Sequence, residues 1–267
     1  MKRGKVWFVG AGPGAADLIT LRGARIISEA DVVIWAASLV HPEILDYARP
    51  DAEVLDSSRL SLEQILARYA DAAERGENVA RVHSGDPSLY GAIQEQIDAL
   101  HRLRLDWEIV PGVSSLGATA AVLGRELTIP EVAQSLIITR LATSTPMPPG
   151  EQLSSFARHG TTMALFLSAS RPRRLQDELL NGGYPPDTPC AVVYRASWPD
   201  QRVLRCLLSE LATAIRGARL HQHALVLVGP ALVAGGTRSH LYSPDFSHQH
   251  RQGGAGARAA EMTGMIP

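Results

Sequence analysis

KVWFVGAGPGA, residues 5–15, is the stretch whose reading decides the fold. Lys5 to Val9 is a short, mostly apolar run that suits a buried strand, and Gly10, Gly12 and Gly14 then break it at a tight turn. Downstream, Ala15 to Glu29 has helical spacing, with Leu18, Leu21 and Ile26 on or near one face. Asp31 to Trp35 reads as a second strand. Ser61 to Arg75 reads as an amphipathic helix with Ser61 at its N-cap and Gln64 three residues on. Asn78 to His83 is a third strand, Ser88 to Arg102 a helix and Trp107 to Val110 a fourth strand. Short apolar strands alternating with helices predict an α/β fold with a mostly parallel first sheet.

The rhythm changes after residue 123. Gly124 to Glu131 is short and polar and reads as a link. Beyond it, strands are predicted at Ser135 to Thr139, Thr161 to Leu167, Pro189 to Tyr194, Arg202 to Cys206 and Ala224 to Val228. Helices fit Gln152 to Arg158, Pro172 to Asn181 and Ser209 to Arg216, and the proline-rich stretch Thr143 to Gly150 is a loop. Pro189 to Tyr194 and Arg202 to Cys206 leave no room for a helix between them, so they should pair antiparallel and make the second sheet mixed. The organisation expected is therefore an N-terminal α/β domain over 1–123, a linker over 124–131, a C-terminal α/β domain over 132–246 and a mobile tail over 247–267.

Composition narrows the function classes. A chain of 267 residues that is 45% hydrophobic and 20% charged is that of an ordinary globular protein. A net charge of -1 gives no reason to expect a nucleic-acid partner. No apolar run approaches the roughly 20 residues that cross a bilayer, and too few apolar residues precede Gly10 for a signal peptide. Cys190 and Cys206 form no CxxC pair, which fits a reduced, cytoplasmic protein.

Gly10 to Ala15 fits the GxGxxG/A dinucleotide fingerprint, and Asp31 lies near the distance of a ribose-binding acid, so an NAD(P)-dependent oxidoreductase is one alternative. Two details oppose it. Asp31 begins its strand, whereas the ribose acid belongs at the strand's carboxyl end, where this chain has Ala36-Ala37-Ser38. Pro13 also removes an N–H from a turn that would donate such groups to a pyrophosphate.

Asn78 to Gln96 (NVARVHSGDPSLYGAIQEQ) and Glu108 to Ser115 (EIVPGVSS), together with Gly10 to Gly14, resemble the tetrapyrrole methylases. The likeness extends through Thr188 to Arg202 (TPCAVVYRASWPDQR) and His223 to Gly229 (HALVLVG), nearly the whole chain. HSGDPSLYGAIQEQ, YRASWPDQ and ASLVHPEIL look most like the branch that methylates precorrin-4 at C11 to give precorrin-5 in cobalamin synthesis. A sister methylase acting at another ring position, or on cobalt-precorrin-4, is the nearest alternative.

The resemblance implies two α/β domains with S-adenosylmethionine in the cleft between them, S-adenosylhomocysteine as product, an acidic tetrapyrrole as substrate, and a homodimer. It implies cofactor contacts at Pro13, Ser84, Gly85, Asp86, Ser114 and Ser115. In the second domain it implies contacts at Leu167, where the family's pattern has methionine, and at Ala191 and Ala224. The weaker alternative is that Asp86 caps a helix starting near Ser88, and Ser114 and Ser115 the helix after them; for Asp86 the two roles are compatible.

Carboxylates on the substrate call for arginine. Among Arg22, Arg59, Arg140, Arg171, Arg195 and Arg202, Arg140 and Arg195 follow strands closely and rank first. Tyr90, Tyr194 and Trp198 could flank the ring, Tyr90 and Tyr194 before Trp198. His221-x-His223 has no third ligand near it in sequence, so no metal is expected. No group is singled out as catalytic.

Overall fold

The computed structural model describes residues 4–252, apart from 234, 237 and 238. The first sheet holds β1 (Lys5–Gly10), β2 (Val32–Trp35), β3 (Glu53–Asp56), β4 (Val79–His83) and β5 (Asp106–Val110). Its order is β3-β2-β4-β1-β5, and every pairing is parallel. Alternation along β1 and β4 divides the core. Val6, Phe8, Val79 and Ile34 face α2 (Leu62–Arg75) and α3 (Gln94–Leu103), while Val9, Ala80, Val82 and Val33 face α1 (Leu21–Glu29).

The second sheet holds β6 (Leu136–Arg140), β7 (Thr162–Phe166), β8 (Pro189–Tyr194), β9 (Arg202–Leu207) and β10 (Ala224–Val228), in the order β6-β7-β10-β8-β9. Only β6 and β7 run parallel, and β8 pairs antiparallel with β9 as expected, so this sheet is mixed. One face packs against α5 (Leu153–Ala157), α6 (Pro172–Asn181) and α7 (Leu211–Ala218). The other face packs against α4 (Ser115–Leu123), whose Ala118 and Leu123 meet Ala164, Ala191 and Leu227. α4 therefore precedes the predicted link in sequence yet contributes to the core of the second sheet. Among the described residues no helix is long and apolar enough to cross a membrane.

Local chemistry explains where the elements differ from the sequence reading. The helix expected from Ala15 begins at Leu21, where the Thr20 hydroxyl accepts from the Gly23 N–H, and residues 16–18 form a separate 3₁₀ turn. The glycine turn thus does not open directly into a helix, which removes the anion-binding N-terminus that the dinucleotide reading needs. Asp31 lies at the amino end of its strand, accepting from the Asn78 N–H at 2.8 Å and pairing with Arg49 at 3.2 Å. The helix expected from Ser88 begins at Gln94, because Tyr90 and Ala92 adopt positive φ, which an α-helix excludes. β3 was not expected: it is a four-residue edge strand with little buried surface. Of the predicted tail, residues 253–267 lie outside the described residues.

The N-terminus of α2 carries the expected capping box: Ser61 N–H donates to Gln64 Oε1 at 2.8 Å, and Gln64 N–H donates back to Ser61 Oγ. Ser61→Ala should lower the unfolding free energy by about 1 kcal/mol, read as a lower urea midpoint with unchanged slope. An unchanged midpoint would mean that water replaces the cap without loss.

Candidate functional site

Three strand ends define the floor of a cleft at the carboxyl edge of the first sheet. Gly10, Gly85 and Gly112 approach backbone to backbone there. A Cβ on Gly112 would lie 2.2 Å from the Gly85 carbonyl oxygen, and one on Gly10 would lie 2.6 Å from Gly112 Cα. Gly85 also adopts a φ of +65° and exchanges hydrogen bonds with Gly12, donating at 2.7 Å and accepting at 3.3 Å. Asp86 locks this junction. Its Oδ2 accepts from the Gly112 N–H at 2.9 Å, and its Oδ1 accepts from the N–H and hydroxyl of Ser88. Burial opposes ionisation of Asp86, but these donors outweigh it and hold the carboxyl below its ordinary value. Asp86 caps a turn, not the helix expected at Ser88, since α3 starts eight residues further on.

The cleft above this floor has a volume of about 710 Å³ and runs between the two sheets. Pro13, Ser84, Gly85, Asp86, Ser114, Ser115, Leu167 and Ala224 all line it, as do Tyr90 and Arg195. Three other candidates lie outside the lining. Ala191 is 1% exposed and packs inside the second sheet's core. Arg140 donates to the carbonyls of Leu141, Thr145 and Pro146 and so folds the proline-rich loop. Tyr194 lies between the guanidinium groups of Arg195 and Arg202, at 5.3 and 5.0 Å from its ring centroid. Ala196, Phe166, His83 and Thr119 also line the cleft and were not singled out from sequence. They carry no motif of their own, although Ala196 sits inside the YRASWPDQ stretch.

Two contacts join the cleft walls. Trp198 Nε1 donates to the Pro13 carbonyl at 3.0 Å, and the Ala15 N–H donates to Ser197 Oγ at 3.0 Å. Gly14 must be glycine because a Cβ would fall 2.1 Å from the Trp198 ring. His41 meets the same indole edge-on at 4.8 Å, and the Arg195 guanidinium lies 4.8 Å from its centroid. On the other side, Tyr90 and Phe166 touch with ring centroids 5.1 Å apart. Tyr90, Leu167, Arg195, Ser197 and His223 all have positive φ. Non-glycine residues rarely hold that conformation, and such strain concentrates at functional sites. Leu167 is in addition 62% exposed, a bare apolar side chain inside the cleft.

Polar atoms without partners also gather here. His83 Nε2, Thr119 Oγ1 and Arg195 Nε are buried and make no hydrogen bond, and all three residues line the cleft. Arg195 is otherwise held by Asp200 at 2.8 Å. Burial first, and then the charge of Arg81, pushes His83 down to about 3, so its imidazole is neutral across the physiological range. Burial and Arg195 likewise lower His223, with Asp200 opposing. Cys190 and Cys206 face each other across β8 and β9 as free thiols, and burial raises both. That makes them poor nucleophiles.

Apolar walls, unpartnered polar atoms and a volume of about 710 Å³ fit S-adenosylmethionine. A solved cobalt-precorrin-4 methyltransferase superposes with a TM-score of 0.84 at 43% identity, covering 86% of this chain and 96% of that one. A uroporphyrin-III C-methyltransferase from Thermus thermophilus, solved with S-adenosylhomocysteine, gives 0.73 at 31% identity, covering 86% and 93%. Fold and cleft define an S-adenosylmethionine-dependent C-methyltransferase. Residues 5–212 match the profile of the Tetrapyrrole (Corrin/Porphyrin) Methylases, and the chain belongs to that family. In sequence it is 46% identical over 249 residues to a cobalt-precorrin-4 C(11)-methyltransferase of Methanocaldococcus jannaschii, covering 93% of this chain and 96% of the relative. It is 49% identical over 240 residues to a precorrin-4 C(11)-methyltransferase of Mycobacterium tuberculosis, covering 89% and 96%.

The depressed His83 has a measurable consequence. An unfolded histidine takes up a proton near 6.5, whereas the folded one does so only near 3. The unfolded state therefore binds more protons within that window, so His83 contributes stability that is complete above about 6.5 and is lost as pH falls. His83→Gln should flatten the fall in urea midpoint between about pH 6.5 and 4.5, above the range where carboxylates such as Asp86 dominate. A parallel fall in both proteins would show that His83 is not buried neutral.

Proposed function

We propose that the chain methylates precorrin-4 at C11, giving precorrin-5, with S-adenosylmethionine as donor. The observation that carries this reading is identity of 46–49% to C11-methyltransferases across about nine-tenths of this chain and more of theirs. The geometry agrees with it. The cleft's volume of about 710 Å³ lies within the usual range for small-molecule sites, and Arg195 in its lining is a cation suited to a substrate carboxylate. Tyr90, across the cleft, offers a ring face to a planar macrocycle. Arg140 and Tyr194 act at one remove, Arg140 by shaping the adjacent loop and Tyr194 by stacking beneath Arg195.

The donor, once bound, supplies an activated methyl on a sulfonium whose leaving group is neutral. The chain's residues have to hold the acceptor carbon in line with it and keep water out. In this reading Pro13 and the Ser84-Gly85-Asp86 turn form the floor under the donor, Ser114 and Ser115 bound one side, and Leu167 and Ala224 bound the apolar slot. Asp86 serves by fixing the turn, since both of its oxygens already accept hydrogen bonds. Ala191 supports the wall from behind. The division into units near 124–131, a homodimer and a cytoplasmic site of action belong to the same reading. The free thiols suit a reducing compartment, and the exposed Val203 and Leu207 on edge strand β9 suit an oligomer.

Isothermal titration should show one S-adenosylhomocysteine bound per chain. Incubation with S-adenosylmethionine and precorrin-4 should add one methyl group by mass spectrometry, at C11 by NMR. A methyl at another ring carbon would make the chain a sister methylase. Turnover of cobalt-precorrin-4 alone would place the reaction on the metallated substrate.

A further inference from the structure

Thr119 lies in the middle of α4, a helix of otherwise apolar and small residues, and is 1% exposed. Its Oγ1 is buried and has no partner, not even a carbonyl of the preceding helical turn. A buried hydroxyl left unpaired costs free energy, so an unpaired one inside a well-packed helix needs a reason. Position supplies it. Ser115 and Thr119 are four residues apart, on one face of the helix, and both line the cleft. Facing them are Val193, Leu225 and Phe166, which give this part of the cleft an apolar wall. A flat heterocycle with a polar edge fits a slot in which an apolar wall faces a helix bearing the Ser115 and Thr119 hydroxyls.

We propose that the Thr119 hydroxyl is a binding contact for the nucleoside half of the methyl donor, setting the position of the base at the deep end of the cleft. This rests on the reading that the donor occupies the cleft. Thr119 touches no reacting atom in this arrangement; it holds the ligand and does not act on the methyl.

Thr119→Val keeps the shape and β-branching of the side chain and removes only the hydroxyl. The expected result is a roughly tenfold weaker affinity, the loss that follows when a buried hydrogen bond is removed. It should appear in titrations with both S-adenosylhomocysteine and 5′-methylthioadenosine, which lacks the amino-acid end. The melting temperature without ligand should stay level or rise, since an unsatisfied group has been removed. A loss confined to S-adenosylhomocysteine would put the hydroxyl at the amino-acid end and overturn the assignment. Unchanged affinity for both, or a lower melting temperature with unchanged affinity, would also overturn it by making the hydroxyl structural. Leu167→Trp, which fills the exposed part of the cleft, separates this from the underlying reading. If that variant binds S-adenosylhomocysteine like the parent, the donor does not occupy the cleft, and the proposed function's placement of the site fails with it.

Discussion

Gly10, Gly85 and Gly112 meet backbone to backbone where β1, β4 and β5 end, and the cleft takes its floor from that approach. Parallel strands deliver their loops to one edge of the sheet. Here the loops are drawn so close that no side chain fits between them. Asp86 then spends its carboxylate on the Gly112 N–H and on Ser88, which fixes the turn after β4 relative to the turn after β5. With those two turns tied, Ser84 and Ser114 are presented into one space from the ends of β4 and β5, the strands that flank β1. The second sheet reaches that space through α4, which starts at the tied junction and packs its far side against β8 and β10.

Charge around the cleft is divided between the first sheet and the loop after β8. Arg81 is buried in the first sheet's core, where Nη1 donates to Ser57 Oγ at 3.0 Å and to the Ile34 carbonyl at 3.3 Å. Its charge helps to keep His83 neutral, so this imidazole adds no charge to the cleft at physiological pH. The fixed positive charge at the cleft comes from Arg195, stacked on Tyr194 and Trp198 and tethered to Asp200. The floor thus holds a neutral imidazole and the hydrogen-bonded Asp86 carboxylate, and the guanidinium comes from the loop after β8.

Much of this was legible in the residues. The bounds of β8 and β10 follow from apolar runs with proline or histidine at their edges, those of α6 from Pro172 and the spacing of Leu175 and Leu179, and the antiparallel pairing of β8 with β9 from the shortness of the link between them. Ser61 and Gln64 announced their box. Other features were not legible because they depend on tertiary contacts. β3 has exposed Glu53 and Val54 and is a strand only because β2 offers it an edge. Residues 88–93 read as the start of the helix that follows them, but Ser88 is pulled into the Asp86 turn and Tyr90 into contact with Phe166. Eight of the nine donor-contact candidates fall on the cleft, since motifs mark strand ends well. Ala191 does not, because it shares a face of β8 with the cleft-lining Val193 but packs in the core between that face and α4. Thr119 and His83 gave no sequence signal at all, since a missing partner can be recognised only in the folded chain.

The loop from Arg195 to Gln201 reaches across to the first sheet's glycine turn through Ser197 and Trp198, while its own ends are fixed by β8 and β9. Its length is therefore as constrained as its composition. A residue inserted there would displace Pro13 on the opposite wall, 185 positions away in sequence. The proline-rich stretch 143–150 has no comparable span to keep, being folded locally onto Arg140. Of the two, it is the stretch in which added length would leave the bridge from Trp198 to Pro13 untouched.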